Sequence, residues 1–441
     1  MTGTTAKRTA MRTENSRILA KGRMRDNDTH ATGLNNNDLV IGPSGSGKTR
    51  GYVIPNILQC RGSLIVTDTK GSIRGQVEGV LRRSGYRVLN LDFTDCAASC
   101  GYNPFDYIRR TASGRYREQD VVSAASVIIP LETRHDPIWE LCARTYLEAL
   151  MGYVLECLPP EEQHMGSVIK LFNEMPTERY DWLMQELGAL DPESFAYVRY
   201  QMNRSTRAAE KMYESIRAFL YVRLSAMSFD GARQMLSNPR RIRLERLGWE
   251  KTVLFVTISD TDRSMDYLAN LFYTQALQSL CASADKNPSR RLDVPVRFIL
   301  DDFAANVAIP DFDKTISVIR SREISASVIL QNTTQLEALY GGPRAATILN
   351  NCDTCLYLGG QDVGTAQYIA QKADRTTASI LGMPLESAWL FTRGQTPEIV
   401  EKYDLREHPR YRELPEYRST ETKKGGHQSN GYTENSKYME H

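Results

Sequence analysis

The chain has 441 residues with a formal net charge of +2, and 41% of its residues are hydrophobic. This is the composition of an ordinary globular protein, long enough for about two or three domains around a large core. The near-neutral charge excludes a globally basic nucleic-acid-binding protein, so any basic surface must be local. Eight cysteines are scattered along the chain without a secretory signal, which favours a reducing, cytoplasmic location.

Two segments of the sequence partly resemble a metal site and a membrane helix. Cys352 and Cys355 have the spacing of a metal or redox pair, but no second pair is suitably placed and the surrounding residues are typical of a buried strand. We therefore interpret them as buried thiols rather than zinc ligands. The nearest candidate for a membrane helix, residues 146–158, contains glutamates and is shorter than the roughly 20 residues that span a bilayer. We predict that this chain does not cross a membrane.

The first predicted elements alternate between strand and helix. Residues 1–16 are polar and basic, which predicts a disordered leader. Residues 38–41 form an apolar strand, and residues 50–60 can form a helix with a kink or break at Pro55. A strand at 63–67, a helix at 71–83 and a strand at 86–91 follow. This alternation predicts a parallel sheet with helices on both faces.

A long helical block interrupts the alternation between residues 106 and 246. Helix-favouring segments occur at 119–129, 137–156, 166–173, 179–187 and 191–227. We interpret the block as an all-helical domain inserted into one α/β domain formed by residues 17–105 and 247–407. Its cationic stretch is either a solvated helix face balanced by Glu210 and Glu214 or a docking surface for nucleic acid or an acidic protein. The stretch contains Arg199, Arg204, Arg207, Lys211, Arg217 and Arg223.

Strands and helices alternate again after the helical block. Strands are predicted at 252–259, 296–300, 325–331 and 352–358, and helices at 263–284, 311–321, 334–340, 344–350 and 363–373. From about His408 the composition becomes polar, which predicts a disordered tail over residues 408–441. The fold class is therefore α/β, with a mostly parallel sheet and an inserted all-helical domain.

Residues 42–49 read Gly-Pro-Ser-Gly-Ser-Gly-Lys-Thr and match the phosphate-binding loop (P-loop) pattern G-x-x-x-x-G-K-[ST]. Between a strand and a helix, such a loop points its backbone N–H groups at a phosphate. Lys48 is expected to reach the β- and γ-phosphates, and the Thr49 hydroxyl to bind Mg²⁺. The alternative is a glycine- and serine-rich surface loop. We predict that ATP and Mg²⁺ bind here, with the nucleotide contacted by Gly42, Pro43, Ser44, Gly45, Ser46, Gly47, Lys48 and Thr49.

Two aspartates end the apolar strand predicted at 296–300. Asp301 and Asp302 have the form of a Walker B element, and parallel strands deliver such residues to the sheet edge beside the P-loop. Asp301 is expected to hold Mg²⁺ through water, and Asp302 to orient or deprotonate the attacking water. The alternative is a pair of capping or loop aspartates that follow a buried strand.

The positions of Gln331 and of two arginines in the sequence suggest catalytic roles. Gln331 ends the next strand, so its amide is expected at the same sheet edge, near the γ-phosphate or the attacking water. Arg320 and Arg322 end the intervening helix and suit an arginine finger toward a neighbouring subunit's nucleotide. From spacing alone, charges that stabilise a helix C-terminus are the stronger interpretation. The catalytic candidates are Lys48, Asp302, Gln331 and Arg320.

This ordered series of motifs resembles the TraG/TraD-type coupling proteins of conjugation and type IV secretion, which belong with the FtsK/HerA-like P-loop ATPases. The resemblance extends over about residues 17–404. Its motifs lie at 42–49, 66–71, 102–106, 300–304, 319–322, 330–332, 335–336, 340–341, 350–352 and 365–366. It implies a RecA-like P-loop NTPase fold for the α/β part of the chain.

The resemblance also implies an activity and a set of partners. Coupling proteins are ATP-hydrolysing, ring-like hexamers at the cytoplasmic face of the membrane, where they receive a relaxase–DNA complex and pass it to the secretion channel. Their inserted helical domain helps to select substrates, which fits residues 106–246. The family's catalytic glutamate falls on Asp302, and its finger arginine falls most plausibly on Arg320.

Three departures from the family pattern bear on this interpretation. Asp302 replaces the usual glutamate and is one methylene shorter, so water activation is expected to be weaker or to need a backbone adjustment. Thr69 and Ser72 replace the family's proline and glutamate. The family usually carries an N-terminal pair of membrane helices, and here only the polar residues 1–16 precede the resembling region. We expect either a soluble relative or a shortened chain that reaches the membrane through partners or a missing anchor.

The leading hypothesis is a Mg²⁺-dependent ATPase that couples a relaxase–DNA complex to a type IV secretion channel. Its DNA contacts are expected to be mostly to phosphates and therefore salt-sensitive. The alternatives are a nucleotide-binding recruitment module with little turnover and a soluble FtsK/HerA-like DNA translocase. A small-molecule kinase is disfavoured by the helical insertion and by the paired Asp301 and Asp302.

Overall fold

In a computed structural model, residues 15–132, 137–173, 185–207, 210–303 and 308–417 are described. The strands are β1 (Ser16–Ala20), β2 (Arg23–Asp26), β3 (Asp38–Ile41), β4 (Ser63–Thr67), β5 (Arg87–Asp92), β6 (Thr252–Thr257), β7 (Val296–Leu300), β8 (Ile324–Leu330), β9 (Thr354–Tyr357), β10 (Ser387–Thr392) and β11 (Glu398–Glu401). The α-helices are Thr29–Thr32, Ile54–Leu58, Ser72–Arg83, Glu118–Ile128, Ile138–Cys157, Met165–Asn173, Phe195–Arg207, Glu210–Ser225, Asp230–Ser237, Asp266–Lys286, Phe312–Val318, Thr333–Tyr340, Gly342–Asn350, Val363–Ala373 and Thr377–Leu381.

The central feature is a nine-stranded sheet with the order β11-β10-β9-β3-β8-β7-β4-β6-β5. From β9 to β5, neighbouring strands are parallel, whereas β10 and β11 complete one edge as an antiparallel hairpin. β1 and β2 form a separate antiparallel hairpin. The predicted α/β fold with a mostly parallel sheet is therefore confirmed.

The hairpin of β10 and β11 is absent from the elements predicted from the sequence, which ended with the helix at 363–373. β10 is held by its neighbour: Leu390 lies opposite Leu356 of β9, and Phe391 lies opposite Cys355. Short edge strands acquire their conformation from such tertiary pairing more than from local propensity. The omission matters because the chain after β11 returns to the P-loop.

Both faces of the sheet are covered, as strands that are apolar on both sides require. In β3, Leu39 contributes to one cluster of buried side chains and Val40 to the other. The cluster with Val40 includes residues of helices Ile54–Leu58 and Ser72–Arg83. The cluster with Leu39 includes residues of helix Asp266–Lys286 and continues without a break into the helical block.

The described residues between β5 and β6 form helices and turns but contribute no strand to the sheet. The predicted helix at 179–187 falls mostly outside the described residues, since 174–184 are not described. The two ends of the block run side by side: Gly101 N donates to Arg240 O at 3.0 Å, and Ile242 N donates to Gly101 O at 2.9 Å. This neck lies close to the predicted boundaries at 106 and 246, and the division into domains stays a prediction.

Buried hydrogen bonds attach the base of the helical block to the sheet domain. The Tyr102 hydroxyl donates to Gln275 Oε1 at 2.6 Å, and Gln275 Nε2 donates to Pro104 O at 2.9 Å. Tyr102 and Gln275 are both buried. Because a buried polar group that loses its partner is costly, these contacts hold the block's entry against helix Asp266–Lys286.

Two arginines of the cationic stretch have acidic partners elsewhere in the described structure. Arg199 Nε lies 3.1 Å from Glu148 Oε2, and Arg223 Nη2 lies 2.7 Å from Glu132 Oε2. The expectation that glutamates of the same stretch balance them is therefore wrong for these two. The partners belong to segments far away in sequence, which helical spacing cannot reveal. The side chains of Arg204, Arg207 and Glu210 lie outside the described structure.

The helix after the P-loop differs from the prediction of a helix at 50–60 interrupted at Pro55. It begins as a π-helix, Lys48–Val53, and continues as the α-helix Ile54–Leu58. Ile54 N donates to Thr49 O, five residues back, where the π-helix ends. Pro55 lies at the start of the α-helical segment and does not end the helix, which continues to Leu58.

Both terminal segments that were predicted to be disordered include residues with defined structure. Ser16 already belongs to β1, and residues 1–14 lie outside the described residues. At the other end, the chain is described to residue 417. Leu414 is fully buried, and Arg410 Nη2 donates to Ser84 Oγ at 2.6 Å. The composition of this segment did not indicate these contacts, because most of its residues are polar.

Cys352 and Cys355 are buried, as predicted, and burial raises the pKa of the Cys355 thiol to about 11. Within the described residues, no helix combines the length and the apolar character that crossing a bilayer requires.

A buried charge network ties the P-loop helix to three strands. Asp38, at the start of β3, is 1% exposed, and its Oδ2 lies 2.8 Å from Arg17 Nε and 3.2 Å from Arg297 Nη1. The Tyr52 hydroxyl donates to the same oxygen at 2.6 Å. Burial lowers the pKa of Arg297, and the Asp38 charge opposes that effect. One carboxylate therefore joins β1, β3, β7 and the helix after the P-loop.

Replacing this carboxylate should destabilise the fold. Asp38→Ala leaves the buried Arg17 and the largely buried Arg297 without their acidic partner, and we expect it to lower the free energy of unfolding by about 3–5 kcal/mol in urea denaturation. The matched control is Asp230→Ala, because Asp230 pairs with Arg233 on the surface with side chains 83% and 59% exposed. It should cost less than about 1 kcal/mol. Equal losses for the two variants would contradict the importance of the network.

Candidate nucleotide-binding site

The P-loop has a shape that requires its glycines. Gly45 and Gly47 have φ angles of 80° and 98°, in the left-handed region that side chains disfavour. Gly42 is needed for a different reason, since a Cβ there would lie 2.4 Å from Ser46 Oγ and 3.0 Å from Leu358 Cβ. The loop therefore folds closely on itself and against the chain after β9.

Lys48 lies inside the loop. Its side chain is buried, and Nζ donates to Gly42 O at 2.7 Å and to Pro43 O at 3.2 Å. Asp302 Oδ1 is 3.8 Å from the same nitrogen. The ammonium group is thus placed between the loop carbonyls and a strand-end carboxylate, where it can bind a phosphate oxygen.

Thr49 and Asp301 are in direct contact. The Thr49 hydroxyl donates to Asp301 Oδ2 at 3.2 Å. Burial raises the pKa of Asp301 to about 6, the charge of Asp302 adds to the effect, and the Lys48 ammonium opposes it. A carboxylate that is costly to ionise in this way is stabilised by a cation placed beside it.

Asp302 is held at a sharp turn. Its φ is 49°, and its N–H donates to Asp301 Oδ1 at 3.1 Å. Gln331 Nε2 donates to Asp302 Oδ1 at 3.3 Å. The next residue, Phe303, is fully buried and stacks on Tyr340 with ring centroids 5.9 Å apart. This packing fixes the turn that points the Asp302 carboxylate toward Lys48 and Gln331.

The sheet register explains why these side chains meet. Ile41 of β3 pairs with Leu330 of β8, and Leu300 of β7 pairs with Val328 of β8. The three strands therefore end at nearly the same level. The structure brings together the predicted site residues Lys48, Thr49, Asp301, Asp302 and Gln331, as expected for the carboxyl edge of a parallel sheet.

Arg320 is not part of this group. It lies in the 3₁₀ turn Arg320–Arg322 just before β8, at the opposite sheet edge, and its Nη2 donates to Thr29 O at 3.2 Å. The side chain is exposed. Within one subunit, Arg320 therefore cannot act on the nucleotide bound at the P-loop.

Arg322 makes hydrogen bonds within its own subunit. Its Nε and Nη2 donate to the Asp285 carboxylate at 2.9 and 3.1 Å, and its Nη1 donates to Val318 O at 3.0 Å. Val318 is the last residue of its helix, so Arg322 satisfies a helix C-terminus, the alternative considered from spacing.

Sequence reasoning missed residues that support the P-loop from the other side. Lys402, just after β11, donates from Nζ to Ser46 O at 3.1 Å and to Leu358 O at 2.8 Å. A Cβ on Gly360 would lie 3.4 Å from Pro43 Cδ. The glycine pair after β9 was a usable signal, because paired glycines after a strand permit close approach. Lys402 offered none, since its hairpin was not predicted.

The chemistry of this site fits a magnesium nucleotide. The Thr49 hydroxyl and the Asp301 carboxylate supply hard oxygen ligands of the kind that Mg²⁺ prefers. Lys48 and the loop N–H groups supply cationic and hydrogen-bonding contacts for phosphate. In the described structure the Ser46 hydroxyl oxygen is buried without a hydrogen-bond partner, which a phosphate contact would satisfy.

Comparisons with known proteins match most of the chain to one family. The family model of type IV secretory system conjugative DNA transfer matches residues 3–396. The conjugal transfer protein TraG of Escherichia coli is 21% identical over 359 residues, which cover 77% of this chain and 55% of TraG. Protein VirD4 of Rhizobium radiobacter is 21% identical over 365 residues, covering 80% of this chain and 50% of VirD4. The chain thus spans about half the length of these curated relatives.

Solved structures show the same fold. The bacterial conjugative coupling protein TrwBdeltaN70, in a form with sulphate, has a TM-score of 0.66 and 17% identity over 89% of this chain and 95% of that one. TrwB in complex with ADP and Mg²⁺ has a TM-score of 0.61 and 16% identity over 83% of this chain and 85% of that one.

The fold and site are those of a P-loop nucleotide-binding protein with a mostly parallel sheet. The family match covers most of the chain. The chain belongs to the conjugative DNA transfer family of type IV secretion systems, the family of coupling proteins that its motifs resemble.

The environment of Asp301 predicts a trade-off between function and stability. Because its pKa is raised to about 6 in the folded chain, ionisation destabilises the fold; the penalty is complete above pH 6 and disappears as pH falls below about 4. In buffer without nucleotide or Mg²⁺, we expect Asp301→Asn to raise the free energy of unfolding at pH 8 by about 2–3 kcal/mol.

Urea denaturation at pH 8 and pH 4.5 checks this prediction. The gain from Asp301→Asn should shrink at the lower pH, since both states then hold the proton more of the time. Asp260→Asn, at an exposed aspartate, serves as the control and should change stability by less than about 0.5 kcal/mol at either pH. A loss of stability in Asp301→Asn at pH 8 would show that the carboxylate is not strained.

Proposed function

We propose that the chain is a Mg²⁺-dependent ATPase that couples a relaxase–DNA complex to a type IV secretion channel. The observation that carries the proposal is the convergence of Lys48, Thr49, Asp301, Asp302 and Gln331 at one sheet edge. The family match supports a role in conjugative DNA transfer. The structure of TrwB with ADP and Mg²⁺ supports the choice of ligand.

Each residue has a role that follows from its contacts. The P-loop and Lys48 would hold the β- and γ-phosphates, while Thr49 and Asp301 would hold the Mg²⁺, which neutralises charge on the phosphates when bound. Asp302 would orient the attacking water and accept its proton. Gln331 donates to Asp302 Oδ1 and so fixes the direction of that carboxylate.

The short side chain at position 302 is compatible with this role. Aspartate replaces the glutamate usual in the resembling family and reaches one methylene less far. The left-handed backbone at Asp302 carries the whole residue toward the P-loop, to within 3.8 Å of Lys48 Nζ. We infer that the turn supplies part of the reach that the side chain lacks.

The location of Arg320 supports an assembly of several subunits. At the edge opposite the P-loop, Arg320 can serve a nucleotide only if a second subunit places its P-loop there. We infer a ring of identical subunits, a hexamer by family resemblance, with Arg320 as the finger and residues 106–246 as the substrate-selecting domain. The ring would act at the cytoplasmic face of the membrane, held by partners or by an anchor, and would contact DNA mainly through phosphates.

Nucleotide turnover should depend on Lys48 and Asp302 in different ways. Lys48→Ala should abolish both ATP binding and hydrolysis, because it removes the phosphate ligand. Asp302→Asn should still bind ATP but hydrolyse it about 100-fold more slowly, because it removes the base. A phosphate-release assay with calorimetric binding checks both, and Asp260→Asn should behave like the unmodified chain.

DNA should stimulate hydrolysis, and the stimulation should weaken between 50 and 200 mM salt. Absence of stimulation by single- or double-stranded DNA, at concentrations where the chain oligomerises, would contradict the motor. ATP binding without turnover, followed by a large gain in Asp302→Glu, would instead identify the recruitment module.

Mixing two inactive variants tests the shared site. Lys48→Ala and Arg320→Ala should each be inactive alone, because every interface lacks one partner. Mixed rings contain some interfaces with an intact Lys48 facing an intact Arg320, so part of the ATPase activity should return. Arg322→Ala is the control, because Arg322 pairs with Asp285 of its own subunit and its loss should leave most of the activity. No recovery on mixing, despite confirmed co-assembly, would exclude Arg320 as a finger in trans.

A further inference from the structure

The segment after β11 reaches the P-loop through one ammonium group. Lys402 donates from Nζ to Ser46 O at 3.1 Å and to Leu358 O at 2.8 Å. The backbone of Lys402 is itself held, because its N–H donates to Glu386 O at 2.9 Å. Leu358 is held as well, since its N–H donates to Ile41 O at 2.8 Å. Lys402 therefore ties one carbonyl of the P-loop to the chain segments that follow β9 and β11.

This carbonyl belongs to the peptide between Ser46 and Gly47, which the local sequence leaves free to turn. Gly47 has a φ of 98°, and glycine permits backbone angles that other residues disfavour. The peptides on either side are oriented by backbone hydrogen bonds: Ser46 N donates to Pro43 O at 3.2 Å, and Gly51 N donates to Gly47 O at 2.6 Å. The hydrogen bond from Lys402 orients the peptide between them.

The orientation of this peptide decides where the Gly47 N–H points. The peptide is trans, and the C=O and N–H of a planar trans peptide point in opposite directions. The Ser46 carbonyl points toward Lys402 and Leu358, on the β9 side of the loop. The Gly47 N–H therefore points the other way, into the loop that encloses Lys48. Backbone N–H groups with this direction form the anion-binding concavity of a P-loop.

We propose that Lys402 is a positioning residue for phosphate binding, because it turns the Gly47 N–H toward the phosphates of the bound nucleotide. The inference rests on the proposed nucleotide binding at the P-loop. Lys402 acts through the Ser46 carbonyl rather than on the phosphates. If the ammonium is removed, the Ser46 and Leu358 carbonyls lose the donor that they share, and the peptide is no longer held with its N–H inward.

This role predicts a change in affinity rather than in the chemical step. Lys402 contacts the loop on the β9 side, whereas Asp302 and Gln331 follow β7 and β8. The Gly47 N–H holds the phosphates before and during the reaction alike. Loss of such uniform binding raises KM and leaves kcat unchanged.

The test replaces Lys402 with methionine, which keeps an apolar stem and removes the ammonium. Isothermal titration calorimetry with Mg²⁺ should show that Lys402→Met binds both ATP and inorganic tripolyphosphate about tenfold more weakly than the unmodified chain. In a phosphate-release assay, its KM for ATP should rise about tenfold while kcat stays within about twofold. Lys402→Arg keeps a cationic donor for the two carbonyls and should bind both compounds within about threefold of the unmodified chain.

Two controls separate this role from a loosened hairpin and from a lost surface charge. Val400→Ala removes a buried side chain of β11 and should lower the unfolding temperature without changing either affinity. Lys21→Met removes an exposed cation that pairs with Glu401, next to Lys402, and should leave both affinities unchanged.

The outcomes separate this inference from the proposal on which it rests. Unchanged affinity for both compounds in Lys402→Met would overturn the positioning role and leave nucleotide binding intact. Equal weakening in Lys402→Met and Val400→Ala would also overturn it, since both would then act by loosening the hairpin. A defect at about 50 mM salt that disappears at about 300 mM would replace it with simple charge attraction, which salt screens. Failure of the unmodified chain to bind either compound would overturn the proposed function and the positioning role together.

Discussion

The in-register pairing of β3, β8 and β7 is the constraint on which the site depends. β8 lies between the other two, so it pairs with the P-loop strand on one side and with the aspartate strand on the other. A shift of one residue would turn alternate side chains to the other face of the sheet and separate Thr49 from Asp301. The apolar side chains on both faces prevent such a shift, because each strand contributes to two buried clusters.

The same arrangement sets the electrostatics. Two carboxylates and an ammonium lie at the end of a buried sheet, where solvent screens them little. Burial and the charge of Asp302 both raise the pKa of Asp301, so ionising this carboxyl is energetically costly. The phosphate and cation chemistry proposed for the site would relieve this strain, so the fold stores part of the binding energy in advance. A site of this kind is expected to be less stable than its surroundings until its ligand is bound.

Sequence reasoning reached the elements whose signals are local. The P-loop is a contiguous motif, β7 is an apolar run that ends in two acids, and helix Val363–Ala373 was predicted at its observed bounds. These features depend on neighbouring residues and on the two simple periods of strand and helix. Asp302 and Gln331 could be placed together because the order of strands and helices already implies a common sheet edge.

Features that depend on distant pairing could not be found in this way. The hairpin of β10 and β11 forms against β9, and Lys402 reaches the loop from far along the chain. Arg199 and Arg223 find their acids in other segments. Each of these features depends on a contact between residues that lie far apart in the sequence. Such contacts cannot be inferred from composition or from local patterns.

The narrow neck at Gly101 has a mechanical consequence. A block that enters and leaves through one neck would swing freely if the neck were its only attachment. Here the core beneath it is continuous with the sheet, and Tyr102, Gln275 and Pro104 join its base to helix Asp266–Lys286. The block is therefore fixed to the sheet domain by its core and its base, and the neck does not act as a free hinge.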